Sequence, residues 1–162
     1  MSNFDVAFAD IIGVEGKETN DPNDPGGLTR FGIAKNSNPD VDVANLTLDG
    51  AKALYKARYW DSVHGDDLKW PLCALVFDCA VNQGAETAKK LLQKAAGTVQ
   101  DGVLGQNTIA AIGRANQLEL CAMFMAQRAR RYTGTRNFDL YGDGWFKRLF
   151  VVALEASMEQ PK

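Results

Sequence analysis

The sequence predicts a mainly α fold with a small loop or β-hairpin lobe beside the first helix. Apolar residues recur at three- and four-residue spacings through most of the 162 residues, as they do on the buried face of a helix. Strand signals are scarce. Gly, Pro, Asn and Asp are concentrated in residues 20–27, a composition that favours tight turns. With 46% hydrophobic residues, the chain can bury one core or two closely packed small units.

The first helix is expected to begin after Ser2 or Asn3, either of which can cap it. Its buried face consists of Phe4, Ala7, Phe8, Ile11 and Ile12. Glu15 therefore falls at or near its last turn. A short hairpin is expected around residues 28–33.

The later helices follow from caps and breakers. Thr47 is the expected N-cap of a second helix, and Pro71 suits the first turn of an apolar helix that ends near Gly84. A shorter amphipathic helix then ends near Gly97. The remaining helices are expected at residues 108–112, 118–132 and 145–156.

The clearest boundary lies at residues 96–105, where three glycines interrupt two helical patterns. Because the sequence on either side is short, we expect packed units and not beads on a flexible linker. The predicted division is 1–96 and 97–162.

Charge argues against two classes of partner. The formal net charge of −2 gives no overall attraction to nucleic acid or to an anionic membrane, and no nucleic-acid reader motif is recognisable. No segment approaches the length of a membrane span. The first ten residues carry two aspartates but no Lys or Arg, so we expect no signal peptide.

Three cysteines lie among apolar neighbours. The spacing of Cys73, Cys79 and Cys121 matches neither a metal site nor a disulfide framework. We interpret them as reduced core thiols, which indicates synthesis in a reducing cytoplasm. A single pairing after export is the alternative.

Residues 15–33 carry the most informative pattern. Glu15 and Asp24 are nine positions apart and Thr29 follows five later, so a helix-end acid, a loop carboxylate and a hydroxyl can converge. Cleavage of a glycosidic bond needs a proton donor and a negative or nucleophilic group on the opposite face. We assign Glu15 as the general acid, Asp24 as the group that orients water or stabilises charge, and Thr29 as an aid to Asp24. The same pattern is also typical of a capped helix end followed by a turn.

Two polar residues interrupt the apolar third helix. Asp78 and Asn82 are one helical turn apart and share a face. They can hydrogen-bond N-acetyl or hydroxyl groups in a cleft, or they can tie neighbouring helices together. The basic stretch from Arg128 to Arg136 is interpreted as a solvated helix face, with contact to an anionic polymer or an anionic membrane surface as the alternative. Helical spacing favours core packing for the aromatic residues Tyr55, Tyr59, Trp60 and Trp70.

Short motifs carry a family resemblance. The first set is Glu15-Gly16, Asn20-Asp21-Pro22, Asp24-Pro25-Gly26-Gly27, Thr29 and Phe31-Gly32-Ile33. It resembles the signature of glycoside hydrolase family 108, a group of phage endolysins and bacterial muramidases with a lysozyme-like fold. The second set is Leu92-Gln93, Asp101-Gly102, Gly105, Thr108, Gly144-Trp145 and Arg148. It is similar to the peptidoglycan-binding region that usually follows the module.

The resemblance implies an N-acetylmuramidase that hydrolyses the β-1,4 bond between N-acetylmuramic acid and N-acetylglucosamine in bacterial peptidoglycan. Glu15 matches the catalytic glutamate, and Phe31, Asp78 and Asn82 are the expected substrate-binding residues. No cofactor or metal is implied, and we expect a monomer made in the host cytoplasm that acts in the periplasm. Access to the wall would need a holin, another export route, or lysis from without.

One departure from the family pattern is Lys17-Glu18, where members usually carry Gly followed by an aromatic residue. Two rival functions therefore stay open. One is a lytic transglycosylase that uses Glu15 as its only essential carboxyl. The other is a non-catalytic wall-binding or secretion-assisting module.

Overall fold

The computed structural model describes residues 1–15 and 27–158, apart from the side chains of Val14 and Glu15. Its seven described α-helices are α1 Asn3–Glu15, α2 Leu48–Tyr55, α3 Leu72–Gln83, α4 Ala85–Ala95, α5 Gln106–Arg114, α6 Gln117–Thr133 and α7 Phe138–Met158. Strands β1 Thr29–Arg30 and β2 Ile33–Ala34 pair antiparallel. The mainly α, lysozyme-like class is confirmed. None of the described helices is both long and apolar enough to cross a membrane.

Helix α3 is the centre of the fold. Residues 72–80 are all buried, and the helix contacts α1, α4, α6 and α7. A helix that is apolar on every side requires such surroundings. It ends at Gly84, where φ is 90°, a conformation that glycine adopts without a steric penalty. The predicted end near Gly84 is confirmed.

Side-chain caps fix the starts of two helices. The Ser2 hydroxyl accepts the Asp5 N–H at 3.2 Å, and the Asp5 carboxylate accepts the Ser2 N–H at 2.9 Å. This reciprocal pair is a capping box, so Ser2 and not Asn3 is the cap. At α2, the Thr47 hydroxyl accepts the Gly50 N–H at 3.1 Å, which confirms that prediction.

An aromatic cluster joins the N-terminal helices to the hairpin. Neighbouring ring centroids lie 5.4–6.4 Å apart among Phe4, Phe8, Tyr55, Trp60 and Phe77. The core packing predicted for Tyr55 and Trp60 is confirmed. The Tyr55 hydroxyl also donates to the Phe31 carbonyl at 3.1 Å, so the β1–β2 hairpin is fixed to the core through its turn.

Helix α7 begins seven residues before the expected start at residue 145. Two glycines, Gly142 and Gly144, made the preceding residues look unlike a helix. In the structure the Phe138 ring lies over Gly142, where a β-carbon would stand 2.8 Å from a ring atom. Gly142 therefore admits an aromatic ring from the preceding turn.

The predicted division at residues 96–97 stays a prediction. On the C-terminal side of that point, α6 packs against α3 and α4, and α7 packs against α3 and α6. Helix α3 thus shares its core with both predicted units.

Candidate active site

Three helix faces enclose a cleft of about 410 Å³. Helix α3 contributes Ala74, Asp78 and Asn82, each four residues after the last, so they lie along one face. Helix α1 contributes Ala7, Asp10 and Ile11, and α7 contributes Trp145, Lys147 and Arg148 followed by apolar residues. The cleft has the size and mixed lining of a small-ligand site.

Asp78 forms a buried ionic cluster at the wall of this cleft. Its side chain is 5% exposed, and one carboxylate oxygen accepts from Arg128 Nη2 at 2.6 Å while the other accepts from Arg148 Nη2 at 2.8 Å. Arg128 is fully buried and also donates to the Leu75 carbonyl at 3.4 Å. Asp78 therefore ties α3 to α6 and α7, as the alternative interpretation proposed, and it lines the cleft as well.

The expectation that the basic stretch of α6 forms a solvated face is wrong for Arg128. An unpaired guanidinium is costly to bury, but the Asp78 carboxylate supplies a counter-charge inside the core. Arg130, Arg131 and Arg136 are exposed.

Asn82 stands one turn beyond Asp78 and lines the cleft. The Tyr132 hydroxyl donates to its amide oxygen, which leaves the NH₂ group as the donor for other partners. Asn82 is hydrogen-bonded, but the residue is exposed and not buried as its place on an apolar helix suggested. Its role in substrate binding stays a prediction.

Only part of the catalytic pattern predicted from the sequence falls within the described residues. Glu15 is the last residue of α1, as predicted, and its position is one helical turn beyond Ile11 in the cleft lining. The Glu15 side chain and the whole of Asp24 lie outside the described part of the structure. Their catalytic roles stay predictions.

Thr29 and Phe31 both lie on the hairpin. The Thr29 hydroxyl donates to the Gly27 carbonyl at 3.4 Å, and Phe31 has a φ of 52° with the Arg30 guanidinium 5.5 Å from its ring centroid. A positive φ is uncommon for a bulky residue and is held by surrounding structure. Neither residue is among the described residues that line the cleft, and their predicted roles remain untested.

The cleft also contains residues that the sequence analysis did not assign to the site. Asp10 shares the cleft face of α1 with the apolar Ala7 and Ile11, and an acid within an apolar stripe was the available signal. Trp145 stacks on Tyr132, with centroids 5.1 Å apart and planes inclined by 26°. Its signal was the family motif alone.

Cys79 is the described thiol adjacent to the Asp78 cluster. Burial raises the pKa of this thiol to about 11, so it stays protonated at neutral pH and is a poor nucleophile. Among the described residues, no group of three or more His, Cys, Asp or Glu side chains is arranged to hold a metal ion.

Comparison with known proteins adds two matches. A family model described as glycosyl hydrolase 108 matches residues 8–84, which include most of α1, the hairpin, α2 and α3. The solved structure of SagA from Brucella abortus is 31% identical, with a TM-score of 0.86 over 96% of this chain and 94% of that chain. The likeness to SagA thus extends well beyond residues 8–84. No curated protein sequence matches the chain.

Proposed function

The chain belongs to the glycosyl hydrolase 108 family, and from this premise we propose that it is a muramidase of bacterial peptidoglycan. The bond cleaved is the β-1,4 linkage between N-acetylmuramic acid and N-acetylglucosamine. The supporting observation is the cleft between α1, α3 and α7, which lies one turn from the helix end that carries Glu15. Family membership implies a carbohydrate substrate, and the cleft offers polar groups among apolar walls for one.

In the proposed mechanism, Glu15 protonates the leaving glycosidic oxygen as its bond to the sugar carbon breaks. Water forms the new bond to that carbon, and the proton that the water gives up passes to a carboxylate of the site. Ile11, one turn before Glu15 on α1, lines the cleft, and apolar surroundings favour a carboxyl that keeps its proton near neutral pH. Asp24, aided by Thr29, stabilises the positive charge that develops on the sugar or orients the water. Proton donation by a positioned carboxyl contributes about 10² to 10⁴ in rate.

The cleft residues have separate duties in substrate binding. Both Asp78 oxygens are engaged by arginines, so we assign Asp78 to holding Arg148 and the α3–α7 wall in place. The Asn82 NH₂ group is the donor for a hydroxyl or N-acetyl oxygen of the glycan. We assign Phe31 on the hairpin to a sugar contact at the end of the cleft.

We further propose that the protein acts as a monomeric endolysin. It is made in the host cytoplasm and reaches the periplasmic wall through a holin, another export route, or lysis from without. The three cysteines are free and buried, which suits synthesis in a reducing compartment.

The deciding experiment compares the parent with Glu15→Gln on purified sacculi. Released reducing ends and product masses are measured, and we expect Glu15→Gln to lower the rate about 10²-fold or more. Glu119→Gln is the matched control, because Glu119 is an exposed residue in the first turn of α6 and should leave the rate unchanged.

The products separate the rival functions. Hydrolysis adds one water to each cleaved bond, so products with reducing ends support the muramidase and anhydro products identify a lytic transglycosylase. A Glu15→Gln variant that clears sacculi as fast as the parent would contradict the catalytic assignment. A parent that binds sacculi without releasing fragments would identify a wall-binding module.

A further inference from the structure

A second hollow of about 350 Å³ adjoins the cleft, and we call it the side pocket. Its described lining comes from the last residues of α3 and α6, the segment after α6, and the first half of α7: Asn82, Gln83, Arg131, Tyr132, Thr135 and Trp145. Asn82 and Trp145 line both hollows. The two hollows are therefore neighbours on either side of Asn82 and Trp145, so a branched ligand in the cleft has the side pocket next to it.

The side pocket is rich in hydrogen-bond donors. Arg131 supplies a guanidinium, and no Asp or Glu is among the described residues that line the pocket. The Asn82 oxygen is already taken by the Tyr132 hydroxyl, so the amide offers its N–H groups. Gln83 Nε2 is buried and has no hydrogen-bond partner among the described residues.

Such a lining selects for an anionic acceptor. A buried donor without a partner costs about 1 to 3 kcal/mol, and Gln83 would recover this cost by turning its amide towards a ligand oxygen in the pocket. A neutral sugar hydroxyl needs acceptors as well as donors, whereas a carboxylate accepts only. Arginine matches the two oxygens of a carboxylate with parallel N–H groups.

We propose that the side pocket binds a carboxylate of the peptide that branches from the glycan, with Arg131 as its principal partner. The inference rests on the proposed function, which places the glycan in the neighbouring cleft. Trp145, stacked on Tyr132, separates the sugar-binding part from the peptide-binding part. The site thereby distinguishes peptide-bearing glycan from bare glycan.

Arg131 also lies near the carboxyl end of α3, since it lines the side pocket together with Asn82 and Gln83. A purely structural role at that helix end is therefore the competing explanation. It predicts the same loss on every substrate, whereas the proposed role predicts a loss that depends on the peptide.

The test uses Arg131→Gln on two substrates: glycan strands that carry peptides, and the same strands after an amidase has removed the peptides. We expect kcat/KM to fall about tenfold on the first, mainly through KM, because one charge-assisted contact is lost. Cleavage of the stripped strands should match that of the parent. Arg130→Gln is the matched control, since Arg130 is exposed on the same helix and does not line the pocket.

A binding measurement decides the point independently of catalysis. Purified disaccharide–peptide and the peptide-free disaccharide are titrated calorimetrically into the Glu15→Gln variant, with and without Arg131→Gln. We expect Arg131→Gln to weaken binding of the disaccharide–peptide alone. Equal weakening of both ligands, or of neither, would overturn the proposal. A parent that cleaves neither substrate would refute the muramidase assignment, and the titration would still decide the role of the pocket.

Discussion

Asp78 and Gln93 are both polar residues buried within helices, yet they belong to different kinds of region. Taken as whole residues, Asp78 is 4% exposed and Gln93 is 1% exposed. Asp78 contacts Arg128 and Arg148, which are 50 and 70 residues away, beside a cleft. Gln93 contacts a loop 8 to 10 residues away.

The Gln93 contacts are all internal to one short segment. Its Nε2 donates to Asp101 Oδ1 at 2.7 Å and to the Val103 carbonyl at 3.0 Å, and its Oε1 accepts the Gly102 N–H at 2.8 Å. These bonds satisfy the side chain and fix the loop between α4 and α5. The peptidoglycan-binding role suggested for this segment stays a prediction.

The difference indicates how a candidate site residue can be told from a purely structural one. Asp78 and Gln93 are both buried and both hydrogen-bonded, so these two properties do not distinguish a residue of a binding site from one that only fixes a loop. Asp78 differs from Gln93 in two respects: it lies beside a cleft that can hold a ligand, and its hydrogen-bond partners come from distant parts of the chain. Four variants sharpen this contrast.

The largest effect is expected from Arg128→Met, which removes the fully buried partner of Asp78. Breaking a buried ion pair from one side leaves an uncompensated charge and costs about 3 to 5 kcal/mol. Because Arg148 still contacts the carboxylate, we expect a loss near 3 kcal/mol, measured by urea denaturation. Arg130→Met, at an exposed position on the same helix, should change the free energy of unfolding by about 0.5 kcal/mol or less.

The double variant Asp78→Asn with Arg128→Met tests the physical cause. Asp78→Asn and Arg128→Met each remove the same buried ion pair, so the double variant should lose less stability than the two single variants lose in sum. If the two changes simply added, Asp78 would not be the reason why Arg128 is buried.

A smaller effect is expected from Gln93→Leu. The change leaves the Gly102 N–H without its acceptor and costs about 1 to 3 kcal/mol. Because Gln93 borders neither the cleft nor the side pocket, the cleavage rate per folded molecule should equal that of the parent. A lowered rate at full folding would show that the loop contributes to the site after all.

The sequence predicted local features better than distant pairings. The Thr47 cap and the stop at Gly84 depend on a few neighbouring residues, which the sequence displays directly. The burial of Arg128 depends on Asp78, fifty residues earlier, and helical periodicity contains no information about that pairing. Phe138 over Gly142 shows the same limit within one helix, because a glycine can interrupt a helix or admit a ring. In the cleft, the shared face of Asp78 and Asn82 was predictable, whereas the facing residues Trp145 and Lys147 required the packing of α7.

The smallest effect concerns pH and the Gln93 loop. Two hydrogen bonds hold the pKa of Asp101 below its ordinary value of 3.8. The larger contribution comes from the Gln93 side chain and the smaller one from the Val103 N–H. A carboxyl whose pKa is lower in the folded state adds stability above its unfolded pKa and loses it as pH falls through the folded pKa. Asp101→Asn keeps an oxygen acceptor but removes the charge. Its midpoint of urea denaturation should therefore lie slightly below that of the parent at about pH 6. The difference between the two midpoints should shrink towards about pH 3, where the parent carboxyl is protonated as well. A gap that stayed constant over this range would mean that the oxygen, and not the charge, stabilises the loop, and Gln93 would then act through neutral hydrogen bonds alone.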